Sequence, residues 1–175
     1  MTDQSRLPVL FSEAEIRAGV AAVAEQIAAM RDRPELALPI LNGAYVLAAD
    51  LLRALDVRGL SLPVEFLQLR SYGEARVAQG EARVLIGPGE NLRGRHVLLV
   101  DGVLDRGRTL KAARELAIAA GARAVTNAVA VDKRRNDAML TADFAAFTHV
   151  AHFIVGYGMD DAGRLRTLPY IAAVG

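Results

Sequence analysis

The stretch VLLVDGVLDRGRTL, residues 97–110, runs from four apolar residues into Asp101, Gly102, Asp105, Arg106, Gly107, Arg108 and Thr109. Residue types of this kind, after an apolar strand and before a helical pattern, suit an anionic ligand. Glycines let backbone N–H groups face anionic oxygens, and a helix N-terminus adds partial positive charge. A hydroxyl and two guanidinium groups add donors. Gly102, Gly107, Arg108 and Thr109 nearly spell the phosphate-loop pattern G-x-x-x-x-G-K-[ST]. Three features argue against that loop. Arg108 stands where the lysine should be, the interior residues 103–106 are bulky, and Asp105 sets a carboxylate where N–H groups must meet an anion.

The elements that must position these residues follow from periodicity. Ser12 and Glu15 have capping-box spacing, and Ile16, Val20, Val23, Ile27 and Met30 keep a helical period after them. ELALPILNGAYVLAADLLRAL reads as a short strand, a glycine turn and a helix from about Tyr45. LPVEFLQLRSYGE reads as a strand ending in a polar loop, and residues 73–90 as a mobile excursion with a hairpin in it. A strand at Val97–Val100 and a helix over Thr109–Ala120 follow, then an apolar strand ending in the basic turn VDKRR. One or two short strands in FAAFTHVAHFIVGYGMD and a last one in LPYIAAVG complete the pattern. Strands alternating with helices predict an α/β fold with a mostly parallel central sheet flanked by helices, one domain over residues 1–175 with a small hood. Ligands of such sheets bind beyond the carboxyl ends of the strands. The clusters Asn42-Gly43, Asp101 to Thr109, Asp132-Lys133 and Gly156 to Asp160 all fall there.

Composition narrows the classes. Of 175 residues, 53% are hydrophobic, which argues for a folded core. Lys and Arg total 21 against 20 acids, a balance that gives no electrostatic reason for general nucleic-acid binding. The absence of cysteine excludes disulfides, thiolate metal sites and a Cys nucleophile. No apolar run approaches the ~20 residues of a membrane span, and MTDQSRLPVL has no apolar signal core. The expectation is a cytoplasmic protein.

The same stretch resembles the diphosphate-ribose motif of type I phosphoribosyltransferases: an apolar strand, two adjacent acids, two apolar residues, then Asp-Thr-Gly-x-Thr and a helix. VDKRR followed by HFIVGYGMDDAGRLRTLP resembles the purine end of hypoxanthine-guanine phosphoribosyltransferases. LPILNGAYVLAADLL is similar to their first strand-loop-helix, and LRSYGE to the start of their active-site loop. The likeness covers roughly residues 10–175 in order.

The resemblance implies roles. Asp101 would hold ribose hydroxyls, and Gly107 and Thr109, with Arg106 and Arg108 beside them, the 5′-phosphate. Asp105 would face N7 of the purine and manage its proton. Lys133 would donate to the 6-oxo group, Phe153 would stack on the ring, and the carbonyls near Ile154 and Asp160 would read the base edge. Asp160 would help hold Mg²⁺ through water. The backbone of Leu41, Asn42 and Gly43, a peptide that can be cis in the family, would meet the pyrophosphate together with Arg166. Ser71 and Tyr72 would close over the transition state. The substrates would be phosphoribosyl diphosphate and a 6-oxopurine, and the assembly a homodimer or homotetramer. Simpler readings stand beside these: Phe153 as core, Thr109 as a helix N-cap, Asp105 as a loop cap, and Asp160-Asp161 as a turn.

The chain departs from the pattern in places. Gly102 stands where the second acid should be, a loss of about 1.5–3 kcal/mol if nothing replaces it. Arg106 replaces a threonine, Asn42 a lysine, and Arg164 and Leu165 an aromatic pair. The acid lost at Gly102 keeps a second function open, a nucleotide-responsive regulator on the same fold.

Overall fold

The computed structural model describes residues 7–70 and 83–174. The opening helix, α1 (Glu13–Ala28), starts where the spacing placed it. Ser12 Oγ accepts from Glu15 N and the Glu15 carboxylate accepts from Ser12 N at 2.8 Å, so two orphan N–H groups are satisfied reciprocally. Its stripe of Ile16, Val20, Val23 and Ile27 is buried.

Three parallel strands form the centre: β2 (Leu36–Leu41), β5 (His96–Leu104) and β6 (Ala124–Asp132). They are near-continuous apolar runs because both faces are covered. On one face α1 and α2 (Tyr45–Asp56) pack on Leu98, Val100, Ala128 and Ala130. On the other, α3 (Arg108–Ala119) brings Leu110, Ala113 and Ala117 against Val97, Leu99 and Val129. The alternation of β5 side chains between the two faces is the two-residue period of a strand.

β3 (Leu67–Arg70) and β7 (Phe144–Thr148) extend the sheet in parallel, and β4 (Arg83–Ile86) closes it antiparallel to β3, in the order β4-β3-β2-β5-β6-β7. β4 falls in the excursion expected over residues 73–90 and pairs back onto β3, while residues 71–82, Ser71 and Tyr72 among them, lie outside the described residues. A separate antiparallel sheet, β1-β9-β8, forms the hood from β1 (Val9–Phe11), β9 (Ile171–Val174) and β8 (Phe153–Val155). Tyr157, two residues beyond β8, donates its hydroxyl to Asp50 Oδ2 on α2 at 2.8 Å and so ties hood to body.

Two boundaries differ from expectation. β5 does not stop at Val100; Asp101, Val103 and Leu104 stay in register with Val129, Val131 and Asp132 of β6. The pairing of a neighbouring strand overrides the polar composition that looked like a loop. The helix α3 begins at Arg108, with Gly107 as its N-cap at φ 76°, so Thr109 is not the cap. No helix among the described residues is long and apolar enough to cross a membrane.

Candidate active site at the strand ends

The site assembles where β2, β5 and β6 end and the hood overhangs them. Because β5 runs on to Leu104, the turn at 105–107 is tight, and Gly107 in the left-handed region swings the chain into α3. No side chain caps that helix, which leaves its first N–H groups free for an anion. A cavity of about 430 Å³ opens there, lined among others by Asp101, Asp105, Gly107, Thr109 and the guanidinium-bearing Arg106 and Arg108.

A second cavity, about 340 Å³, shares Asp101, Val103 and Thr109 with the first. It is walled by Leu41, Gly43 and Gly102 on one side and by Phe153, Ile154, Asp160 and Arg166 on the other. Phe153 is 54% exposed, so the core reading does not hold and its ring is free to meet a ligand. Arg166 donates to Asp160 Oδ1 at 2.7 Å and to the Gly158 carbonyl at 2.7 Å, while Gly163 N donates to Asp160 Oδ2 at 2.6 Å. Asn42 instead opens, with Arg164 and Leu165, into a third cavity beyond Leu41, where its Oδ1 accepts from Gln68. The Leu41–Asn42 peptide is cis.

Asp101 is half-buried between the two shared cavities, and its Oδ1 accepts from Gly102 N at 2.7 Å. Burial pushes its carboxyl up to about 7, opposed only in part by that hydrogen bond. Asp105 is held from two sides: Lys133 Nζ donates to Oδ2 at 3.1 Å, and Arg135 Nε lies 3.2 Å from Oδ1, a buried atom with no well-formed hydrogen bond. Lys133 is almost covered, and Asp132 explains how it is presented. That buried carboxylate accepts from Arg134 N at 2.8 Å and Ala142 N at 3.1 Å, fixing the turn that carries residues 133–135.

Gly102 is where the departure from the expected motif becomes intelligible. A Cβ there would lie 2.8 Å from the Gly43 carbonyl oxygen and 3.3 Å from Met159 Cγ. Gly158, at φ +97°, would set a Cβ 2.5 Å from that same oxygen. The first loop is therefore seated between two glycines, and a second acid at 102 has no room in this arrangement.

The sequence pattern of the phosphoribosyl transferase domain matches residues 11–162. The chain belongs to the phosphoribosyltransferase family. Within it the chain falls with the hypoxanthine-guanine enzymes. It is 34% identical to hypoxanthine-guanine phosphoribosyltransferase of Bacillus subtilis, covering 95% of this chain and 92% of that one. Against hypoxanthine phosphoribosyltransferase of Escherichia coli it is 32% identical, over 95% and 94%. The fold superposes on hypoxanthine phosphoribosyltransferase of Trypanosoma cruzi in complex with the product IMP with a TM-score of 0.84 at 30% identity, over 95% and 93%. The architecture is thus the type I phosphoribosyltransferase fold, a mostly parallel sheet with a hood.

Of the residues read from the sequence, the structure gathers Asp101, Asp105, Arg106, Gly107, Arg108, Thr109, Leu41, Gly43, Phe153, Ile154, Asp160 and Arg166 around two joined cavities, with Lys133 behind Asp105. Asn42 lines the third cavity, which shares Leu41 and Arg166 with the second. Arg135, which lines the first cavity, was not singled out. Its only sequence signal was its place in the basic run after β6.

Proposed function

We propose that this phosphoribosyltransferase moves the 5-phosphoribosyl group from phosphoribosyl diphosphate to N9 of hypoxanthine or guanine. The observation that carries this is the joining of the two cavities through Asp101, Val103 and Thr109. An anion cradle at the start of α3 and an exposed aromatic wall on β8 then face one another across a carboxylate suited to sugar hydroxyls.

The 5′-phosphate would lie on the N–H groups of Gly107 to Thr109, and the ribose hydroxyls on Asp101. The purine would lie against Phe153, with Lys133 toward its 6-oxo group and the Ile154 and Asp160 carbonyls toward its edge. The diphosphate would meet the Leu41–Gly43 backbone and Arg166. As the C1′–N9 bond forms, the C1′–O bond breaks with its electron pair on pyrophosphate, and Asp105 takes the purine's proton. Asp160 lines the second cavity, with one carboxylate oxygen on Arg166 and the other on Gly163 N. A single carboxylate at that place suits Mg²⁺, which keeps waters and binds through one or two carboxylates plus substrate phosphates. Asp160 would hold that ion, which would supply positive charge against the leaving diphosphate. We further read the protein as one domain, a cytoplasmic homodimer or homotetramer, with Ser71 and Tyr72 closing the site.

The test is a spectrophotometric assay with phosphoribosyl diphosphate, Mg²⁺ and each of hypoxanthine, guanine, xanthine and adenine. Nucleotide should form from the 6-oxopurines. Asp105→Asn should lower kcat by about a hundredfold or more, the range of general acid–base catalysis. Lys133→Ala should raise KM for the 6-oxopurines. No product from any base, with IMP still bound, would make the protein a nucleotide-binding regulator instead.

A further inference from the structure

The connection from β6 to β7 does more than join strands. It lies down on the phosphate loop. Met139 N donates to the Arg106 carbonyl at 3.0 Å, and a Cβ on Gly107 would stand 3.3 Å from Leu140 Cγ and 3.5 Å from its backbone N. The same connection carries Arg135, which lines the 430 Å³ cavity together with Arg106. Asp137 holds both. Its carboxylate accepts a two-point bond from Arg135, Nε at 2.7 Å and Nη2 at 3.2 Å, and lies 3.5 Å from Arg106 Nε.

We infer that Arg135 is a second anion-binding group for the 5′-phosphate, with Arg106 beside it and Asp137 as the positioning residue for the pair. This rests on the site read above. The bland alternative is a surface ion cluster. Three observations go beyond it. Arg135 lines the cavity itself, together with Arg106 and Arg108, so three guanidinium groups surround the space that the start of α3 already makes favourable to anions. The fork has five donors, and Asp137 engages only Nε and Nη2, which leaves donors for a phosphate oxygen. Arg135 also touches Asp105 through the otherwise orphaned Oδ1, so one side chain connects the phosphate end of the site to the proton-handling acid. A phosphate arriving beneath Arg135 would draw it from Asp105. Substrate binding and the state of that acid would then be coupled.

The probe is IMP, titrated calorimetrically into wild type, Arg135→Gln, Arg135→Lys and Asp137→Asn, with KM for phosphoribosyl diphosphate and for hypoxanthine measured alongside. Arg135 is exposed enough that folding is not at stake, and a circular dichroism melt checks this. Arg135→Gln should weaken IMP by about tenfold or more, the size of one charge-assisted bond. It should raise KM for phosphoribosyl diphosphate alike and leave KM for hypoxanthine within about twofold. The lysine variant should recover part of the loss, and Asp137→Asn should give a smaller loss of the same selectivity. Unchanged IMP affinity, or equal losses toward diphosphate and purine, would overturn the inference, the second outcome meaning that Arg135 acts only through Asp105. If wild type binds no IMP, the purine-nucleotide site itself fails and this inference falls with it.

Discussion

At the phosphate end of the cleft the wall is made of charge: Arg106, Arg108 and Arg135 around the start of α3. At the ribose end it is made of missing side chains, with Gly102 and Gly158 closing on the Gly43 carbonyl. Gly102 and Arg106 lie within one short stretch of sequence, and each departs from the expected motif in its own direction. Arg106 adds a long cation where a small hydroxyl was expected; Gly102 removes a carboxylate. The comparison teaches that the two changes are not equivalent losses of a pattern. One is an exposed side chain whose exchange leaves the packing intact. The other is a packing position, where anything larger than hydrogen must displace backbone.

If that is right, adding atoms should hurt the ribose end most. Gly158→Ala meets both a left-handed φ and the Gly43 oxygen, so it should cost about 2–5 kcal/mol in urea unfolding. A midpoint like that of wild type would break the comparison. Gly102→Ala should cost less, about 1–3 kcal/mol, with KM for phosphoribosyl diphosphate raised as the first loop is pushed aside. Gly102→Asp should behave like the alanine or worse. Turnover above wild type in that variant would show that the loop yields and that the acid was simply missing.

Asp101 sharpens the contrast through pH. Its carboxyl is lifted to about 7 by burial, so the folded protein keeps a proton that the unfolded chain gives up near 3.8. The folded state binds more protons between those values, so this group's contribution to stability falls as pH rises from about 4 to 7 and is flat above. Ribose hydroxyls donating to Asp101 would favour its ionised form. IMP affinity should therefore rise from pH 6 to 8, by at most about tenfold per unit, and Asp101→Asn should flatten that rise. The smallest effect is expected at Arg106. Its side chain is 56% exposed and its ion pair with Asp137 is long, so Arg106→Thr should change stability by no more than about 0.5 kcal/mol while weakening IMP a few-fold.

Much of this was legible from residues alone. The capping box at Ser12 and Glu15 and the stripe that follows it are local signals, and local signals survive into the fold. The order of polar clusters behind apolar runs placed the site on one sheet edge. What could not be read was long-range. β1 is three residues of no marked periodicity that become a strand because β9 is there to pair with. Asp101 and Gly102 looked like loop because the ladder that holds them belongs to β6. The reason for Gly102 is a carbonyl about sixty residues earlier in the chain. Arg135 was hidden for a similar reason: a basic turn acquires a direction only when the segment after it settles on the phosphate loop.

The hood has an unequal division of labour. β9 is its middle strand, and β1 and β8 each pair with it and not with one another. Phe153, the proposed purine wall, therefore stands on a strand whose sheet partner comes later in the chain than every strand of the large sheet. During synthesis the large sheet has all its strands before Ile171–Val174 exist, since β7 ends at Thr148. Chain order thus supplies the strands that carry the phosphate cradle before it supplies the partner of the strand that carries Phe153. The order in which the polypeptide is made separates the two halves of the cleft in time.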